Sequence, residues 1–174
     1  MIDPAIRRVR PDDAEPLRDA RLAALKETPE AFVSRYAEEA LEPPEFWLAR
    51  ATQSAAGEQV ATFVAERDGR FVATVTGLRL VRPGPAELVG MWVDASERRH
   101  GLGRRLVETV CDWAAATGAD RIEVSVHLPN EPAQTLYESA GFVALRAVFP
   151  RQDGRAGLEL RLARRLAGRA PTGA

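Results

Sequence analysis

Arg98-Arg99-His100-Gly101-Leu102-Gly103 stands between an apolar run, Leu88 to Val93, and a helical pattern that continues to Thr117. A strand, a glycine-bearing basic loop and a helix start make a ready anion site. The first N–H groups of a helix have no partner within it, and the helix dipole favours negative charge at that end. Gly101 and Gly103 allow close backbone approach and positive φ. The N–H groups from Arg99 to Arg104 can form a nest for a pyrophosphate. Neither the Rossmann pattern nor the Walker pattern is met, because position 106 is Leu and no G-K-S/T follows the loop.

Outward from this loop the chain reads as alternating elements. Ala86 to Val93, Gly103 to Thr117 and Arg121 to His127 form a strand–helix–strand unit, so the two strands are expected to be parallel neighbours. Upstream, Gln59–Glu66 and Phe71–Val81 are strands joined at Asp68-Gly69. Downstream, Pro132–Ala140 reads as a short helix, and Phe142–Phe149 and Leu158–Leu162 as further strands. At the start, Ile6–Arg10 is a strand, and Asp12 with Glu15 suggests a capping box opening a helix to Lys26. Glu30–Leu41 and Glu45–Thr52 carry helical patterns, and Gln53–Glu58 looks like a surface loop. The order predicts a three-layer α/β fold with a mixed, mostly antiparallel sheet and a central parallel pair. A single domain over residues 1–163 is expected, with 164–174 a flexible tail.

Composition narrows the classes. A length of 174 residues suits one domain with a full core, and the net charge of -1 argues against bulk nucleic-acid binding. No apolar run is long enough to span a membrane, and the N-terminus lacks a signal-peptide pattern, so a cytoplasmic protein is expected. Cys111 is the lone cysteine; its helical spacing from Val107 and Ala114 places it in the core, and no metal-ligand cluster surrounds it.

A second motif adds specificity. Residues 130–142 read N-E-P-A-Q-T-L-Y-E-S-A-G-F. Together with Arg98–Gly103, this stretch resembles the GCN5-related N-acetyltransferase (GNAT) superfamily. That family carries R/Q-x-x-G-x-G/A between a strand and a helix, and often N-x-x-A-x-x-L-Y-x-x-x-G-F downstream. Both motifs match at every fixed position, and the resemblance covers about Val60 to Leu162.

The resemblance implies acetyl-CoA as acetyl donor, no metal, and a fold whose parallel pair is splayed to admit CoA. The loop residues Arg98, Arg99, His100, Gly101, Leu102, Gly103 and Arg104 would hold the pyrophosphate, chiefly through backbone amides. Met91, Trp92 and Val93 would pair with the pantetheine arm after a bulge near Gly90. A Trp92 or Val93 N–H would stabilise the oxyanion. Asn130 would hold the CoA arm or cap the helix after it. Tyr137 is the expected general acid at the CoA sulfur, and Glu87 the expected general base. His127 is a further candidate base. For the acceptor, Tyr36, Glu39, Trp47 and His127 are the candidate contacts, since carboxylates there would hold a cationic amine. The acceptor is expected to be a small-molecule amine or a protein amino group, with the small molecule favoured. A homodimer is common among the proteins resembled, although the sequence marks no interface. The alternative is a CoA-binding module without catalysis; Tyr137 together with Asn130 argues against it.

Overall fold

The computed structural model describes residues 3–151 and 153–167. One seven-stranded sheet runs through it in the order β1-β2-β3-β4-β5-β7-β6. Its strands are β1 (Ala5–Arg8), β2 (Val60–Arg67), β3 (Arg70–Leu78), β4 (Ala86–Val93), β5 (Arg121–Leu128), β6 (Val143–Pro150) and β7 (Leu158–Arg165). Only β4 and β5 run parallel; every other pairing is antiparallel. Helices α1 (Ala14–Glu27), α2 (Tyr36–Glu39) and α3 (Pro44–Ala56) precede β2, α4 (Leu102–Ala116) links β4 to β5, and α5 (Glu131–Ser139) follows β5.

Two cores flank the sheet, giving the three layers expected. On one face α4 buries Leu106, Val107, Val110, Cys111 and Ala114 against Ala61, Phe63, Val75, Leu88 and Ile122. On the other, Leu17, Ala20, Ala24 and Leu25 of α1 meet Val64, Phe71 and Trp92. Alternation along β2 to β4 sends successive side chains to opposite layers, so Leu88 and Trp92 of one strand serve different cores through the register shift between them. Burial pushes the Cys111 thiol up to about 11, which suits packing and not nucleophilic attack.

Several boundaries differ from the sequence expectation. The carboxylate at the start of α1 is Asp13, not Asp12. A 3₁₀ turn at Pro11–Asp13 brings Asp13 to accept the Arg10 N–H at 2.7 Å and the Arg7 guanidinium at 2.6 and 2.9 Å. The continuous helix expected over Glu30–Leu41 is broken. A 3₁₀ turn covers Pro29–Ala31, Phe32 and Arg35 are extended, and only Tyr36–Glu39 is α-helical. Tertiary anchors override the local pattern there. Phe32 turns into the core beneath the Arg21 guanidinium, 4.8 Å from its ring centroid, and Glu39 folds down onto Arg21. Conversely, α3 absorbs most of the supposed loop after Thr52, because Ser54 is buried and receives a hydrogen bond from Thr62 at 3.0 Å. Strand β7 extends to Arg165, and Leu166 N–H bonds the Asp120 carbonyl at 2.8 Å, so residues 164 and 165 belong to the sheet rather than to a tail. The remainder of that expected tail, residues 168–174, lies outside the described residues. Among the described residues, no helix is long and apolar enough to cross a membrane.

Candidate active site

The parallel pair is short. Strands β4 and β5 are in register only at Ala86/Ile122 and Glu87/Glu123, and then part. The cause lies in β4. Thr74 faces Trp92 and Thr76 faces Val89, so Gly90 and Met91 together oppose Val75. This is the bulge expected near Gly90, whose φ of +64° suits glycine. Thr74 Oγ1 donates to the Gly90 carbonyl at 3.3 Å and holds the distortion in place. Beyond Glu87, the β5-facing edge of β4 pairs with no described strand.

The loop Arg98–Gly103 sits at the open end of this split. Gly101 adopts φ +80°, and the first α-helical bond of α4 runs from the Arg105 N–H to its carbonyl at 3.1 Å. The N–H groups of Leu102, Gly103 and Arg104 therefore precede the helical ladder, and no side chain caps them. Arg99 is also left-handed, at φ +64°, and is exposed along with His100 and Arg104. Gly103 does not need the positive φ expected of it. It lies within the helix, where an added Cβ would reach Leu136 at 3.4 Å and Met91 at 3.5 Å. Arg98 turns away from the loop, donating to the Val93 carbonyl at 2.8 Å and to Glu27 at 2.5 Å. The Trp92 indole also donates to Glu27, at 2.9 Å, so its side chain serves the α1 layer.

A narrow cavity of about 110 Å³ occupies the split, lined by Leu88–Met91, Val124–His127, Asn130, Ala133, Leu136 and Tyr137. Asn130 accepts the Ala133 N–H at 3.2 Å, the cap of α5. Tyr137 is buried with its ring 5.5 Å from that of Phe142. Burial raises its phenol well above the usual tyrosine value, so it keeps its proton throughout the working pH range.

A wider cleft of about 620 Å³ adjoins the narrow one. The two share Ala31, Phe32, Leu88, Val89, Gly90, Val124, Ser125 and His127. His127 is the titratable side chain common to both. Its Nδ1 lies 2.9 Å from the Glu30 carbonyl, which can only accept; the proton is thereby assigned to Nδ1, leaving Nε2 the lone pair when the ring is neutral. Nε2 lies 3.9 Å from Glu159 Oε2. Glu159 is 3% exposed, and its Oε1 has no partner among the described residues. Glu87 is exposed on the floor of the wide cleft beside Glu123, its register partner, and does not border the narrow one.

Of the acceptor residues expected, only His127 lines the cleft. Tyr36 is exposed outside it, and Trp47 is 1% exposed in the interior. Glu39 is buried with its carboxylate occupied by Arg21 at 2.8, 3.1 and 3.2 Å and by Arg50 at 3.1 Å. Arg21 and Arg50, not the carboxylate they share, face the cleft. Sequence reasoning passed over both arginines and Glu159. Alternation offered one signal for the latter, since Glu159 is the register partner of His127; an arginine among many on an amphipathic helix offers none.

A profile of the acetyltransferase (GNAT) family matches residues 22–142. The ribosomal protein bS18-alanine N-acetyltransferase of Escherichia coli K12 is 32% identical over 113 residues, covering 63% of this chain and 74% of that one. The mycothiol acetyltransferase of Beutenbergia cavernae is 34% identical over 84 residues, 47% of this chain and 28% of that one. Among solved structures, a GNAT-family acetyltransferase from Streptococcus pneumoniae superposes with TM-score 0.77 at 20% identity, covering 94% of this chain and 99% of its own. A Salmonella typhimurium structure solved with acetyl-CoA gives TM-score 0.76 at 18% identity, over 100% of this chain and 99% of that one. These structural likenesses concern the fold.

Proposed function

The chain belongs to the GNAT acetyltransferase family, and from that premise we propose that it moves the acetyl group of acetyl-CoA directly onto the primary amine of a small molecule, within a ternary complex. One observation carries the reading: a narrow channel and a wide cleft meet at His127. The channel suits the pantetheine arm and the cleft suits the acceptor. The uncapped amides of Leu102, Gly103 and Arg104 take the pyrophosphate, with Arg99, His100 and Arg104 around it. The free edge of Met91–Val93 pairs with the arm as an added strand would. A Trp92 or Val93 N–H receives the oxyanion.

The amine nitrogen attacks the thioester carbonyl, the C–N bond forms and the C–S bond breaks. The amine proton passes to His127 Nε2, and the departing thiolate takes a proton from Tyr137. His127 replaces Glu87 as the base in this reading because it borders both cavities, whereas Glu87 borders the cleft alone. Juxtaposition of amine and thioester supplies most of the acceleration. A cleft of about 620 Å³ falls within the small-ligand range of roughly 300–1,000 Å³, which supports a small acceptor. The Escherichia coli relative is named for a protein alanine, so peptides belong in the test.

Acetyl-CoA should raise the melting temperature by mass action. Absence of any shift at millimolar acetyl-CoA would sink the proposal. Thiol release is then followed with amines and with short peptides. His127→Gln should lower kcat/KM by about 10²-fold or more, and Glu87→Gln should leave it within about threefold. The reverse result returns the base role to Glu87.

A further inference from the structure

The wide cleft is electrically polarised. Its helical roof presents Arg21 from α1 and Arg50 from α3. Its sheet floor presents Glu87, Glu123 and Glu159. Arg161, also on the floor, lies over the Phe149 ring at 5.6 Å.

The charges do not cancel locally. Arg21 and Arg50 share one carboxylate, that of Glu39, so the roof keeps a net positive charge. All three groups are partly or largely withdrawn from water, with side-chain exposures of 12% for Arg21, 35% for Arg50 and 10% for Glu39. Burial and the neighbouring Arg21 charge both disfavour the charged form of Arg50, as expected where one anion is missing from the cluster. On the floor, Glu123 is paired with Arg121 at 2.8 Å. Glu159 is almost wholly buried and keeps one carboxylate oxygen unpartnered. An unpaired buried carboxylate oxygen is costly, and a cation or an N–H donor relieves it.

We propose that the acceptor is a small primary amine that also carries an anionic group, its nitrogen held at Glu159 and His127 and its anion at the Arg21–Arg50 pair. This rests on the acetyltransferase reading above. The orientation follows from the cavities. His127 borders the narrow channel where the thioester would lie, and neither arginine does. The amine must therefore sit at the floor and the anion at the roof. An amine without an anion leaves the roof uncompensated, and an acid without an amine meets the floor carboxylates. Carboxylate and phosphonate share this chemistry, and both belong in the assay.

The experiment is a thiol-release assay on the full chain with matched acceptors: phenylalanine with phenethylamine, γ-aminobutyrate with butylamine, and aminoethylphosphonate with ethylamine. Short peptides complete the panel. The anionic member of at least one pair should show kcat/KM about tenfold or more above its partner, the range set by a charge-assisted hydrogen bond. Arg50→Gln should collapse that ratio to below about threefold, and Arg50→Lys should restore part of it. Acetyl-CoA binding by each variant serves as the folding control. Equal or reversed preference, or turnover confined to peptides, overturns the inference and spares the acetyltransferase reading. Retained acetyl-CoA binding without turnover of any member also overturns it. Failure to bind acetyl-CoA overturns the underlying reading instead.

Discussion

The proposed donor side and the proposed acceptor side of this site are built in opposite ways. The donor side runs from β4 through the basic loop, α4, β5 and α5, one continuous stretch in which each element positions the next. Its proposed anion site needs only a left-handed Gly101 and a helix start. The acceptor side is assembled from α1, the extended turn around Phe32, α3 and β7. Its contacts join residues far apart in the chain: Arg21 with Glu39, His127 with the Glu30 carbonyl, and Arg151 with that same carbonyl at 3.3 Å. A site made of contiguous chain is specified by spacing. A site made of distant pieces is specified by packing, which spacing does not report.

The sharpest way to break this contrast is at Tyr137, the proposed acid of the donor side. Tyr137→Phe removes the hydroxyl and keeps the ring against Phe142. If it is the acid, kcat should fall by about 10²–10⁴-fold. Because burial raises its phenol, it stays protonated, and its loss should lower the whole pH profile without moving an alkaline limb. Unchanged turnover at every pH would leave the donor side a binding surface only.

The acceptor side is tested next at Glu39. Glu39→Gln keeps the shape but leaves two guanidiniums in a largely buried cluster without their carboxylate, a loss of about 3–5 kcal/mol in unfolding free energy. Burial alone would push the Glu39 carboxyl up; the hydrogen bond and charge of Arg21, then the charge of Arg50, bring it below its ordinary value of 4.5. A depressed carboxyl stabilises the fold fully above its unfolded value, and that contribution is lost as pH falls through the folded one. Denaturant curves should therefore show the gap between wild type and variant narrowing below about pH 4.5. A gap that stays constant to acid would assign the stability to packing rather than charge.

These two residues also mark how far the sequence could be read. The motif positions from Arg98 to Phe142 were legible because a tight turn, a helix start and a capped short helix each demand certain residues at fixed intervals. The bulge at Gly90 was legible for the same reason, since a glycine within a strand signals one. The helix expected over Glu30–Leu41 was not refuted by anything local. Phe32 breaks it by burial against α1, a contact that periodicity does not encode. Glu39 was expected to offer its carboxylate to the acceptor, yet its partners turn it inward and leave Arg21 and Arg50 facing the cleft. Glu159 lies beyond the motifs, and only its register against His127 reveals it.

A smaller effect sharpens the donor side. Gly101→Ala meets no neighbouring atom within 4 Å, so its cost is conformational and not steric. Holding alanine at a left-handed position costs roughly 1–2 kcal/mol. The expected outcome is that much lost stability, or an equivalent weakening of acetyl-CoA binding of about tenfold as the loop relaxes. Titration calorimetry separates the two. Neither change would mean that the loop tolerates another backbone, and the anion site would then rest on its arginines.

The smallest expected effect lies where the two sides join. Glu27, at the end of α1, accepts from the Trp92 indole of β4 and from Arg98 at the loop entrance. The Arg98 pair is partly exposed, 42% and 34% for the two side chains, and such pairs contribute about 0–1 kcal/mol. Glu27→Gln retains an oxygen for the indole and removes the charge, so its cost should stay within that range. The difference should shrink in about 1 M salt, where the Debye length falls to roughly 3 Å. Acetyl-CoA affinity should hold, because the loop amides do not depend on Arg98. A loss above about 2 kcal/mol, or a tenfold change in acetyl-CoA affinity, would exceed what an exposed pair supplies. It would show that α1 sets the geometry of the loop, and the acceptor side would then govern the donor side instead of standing beside it.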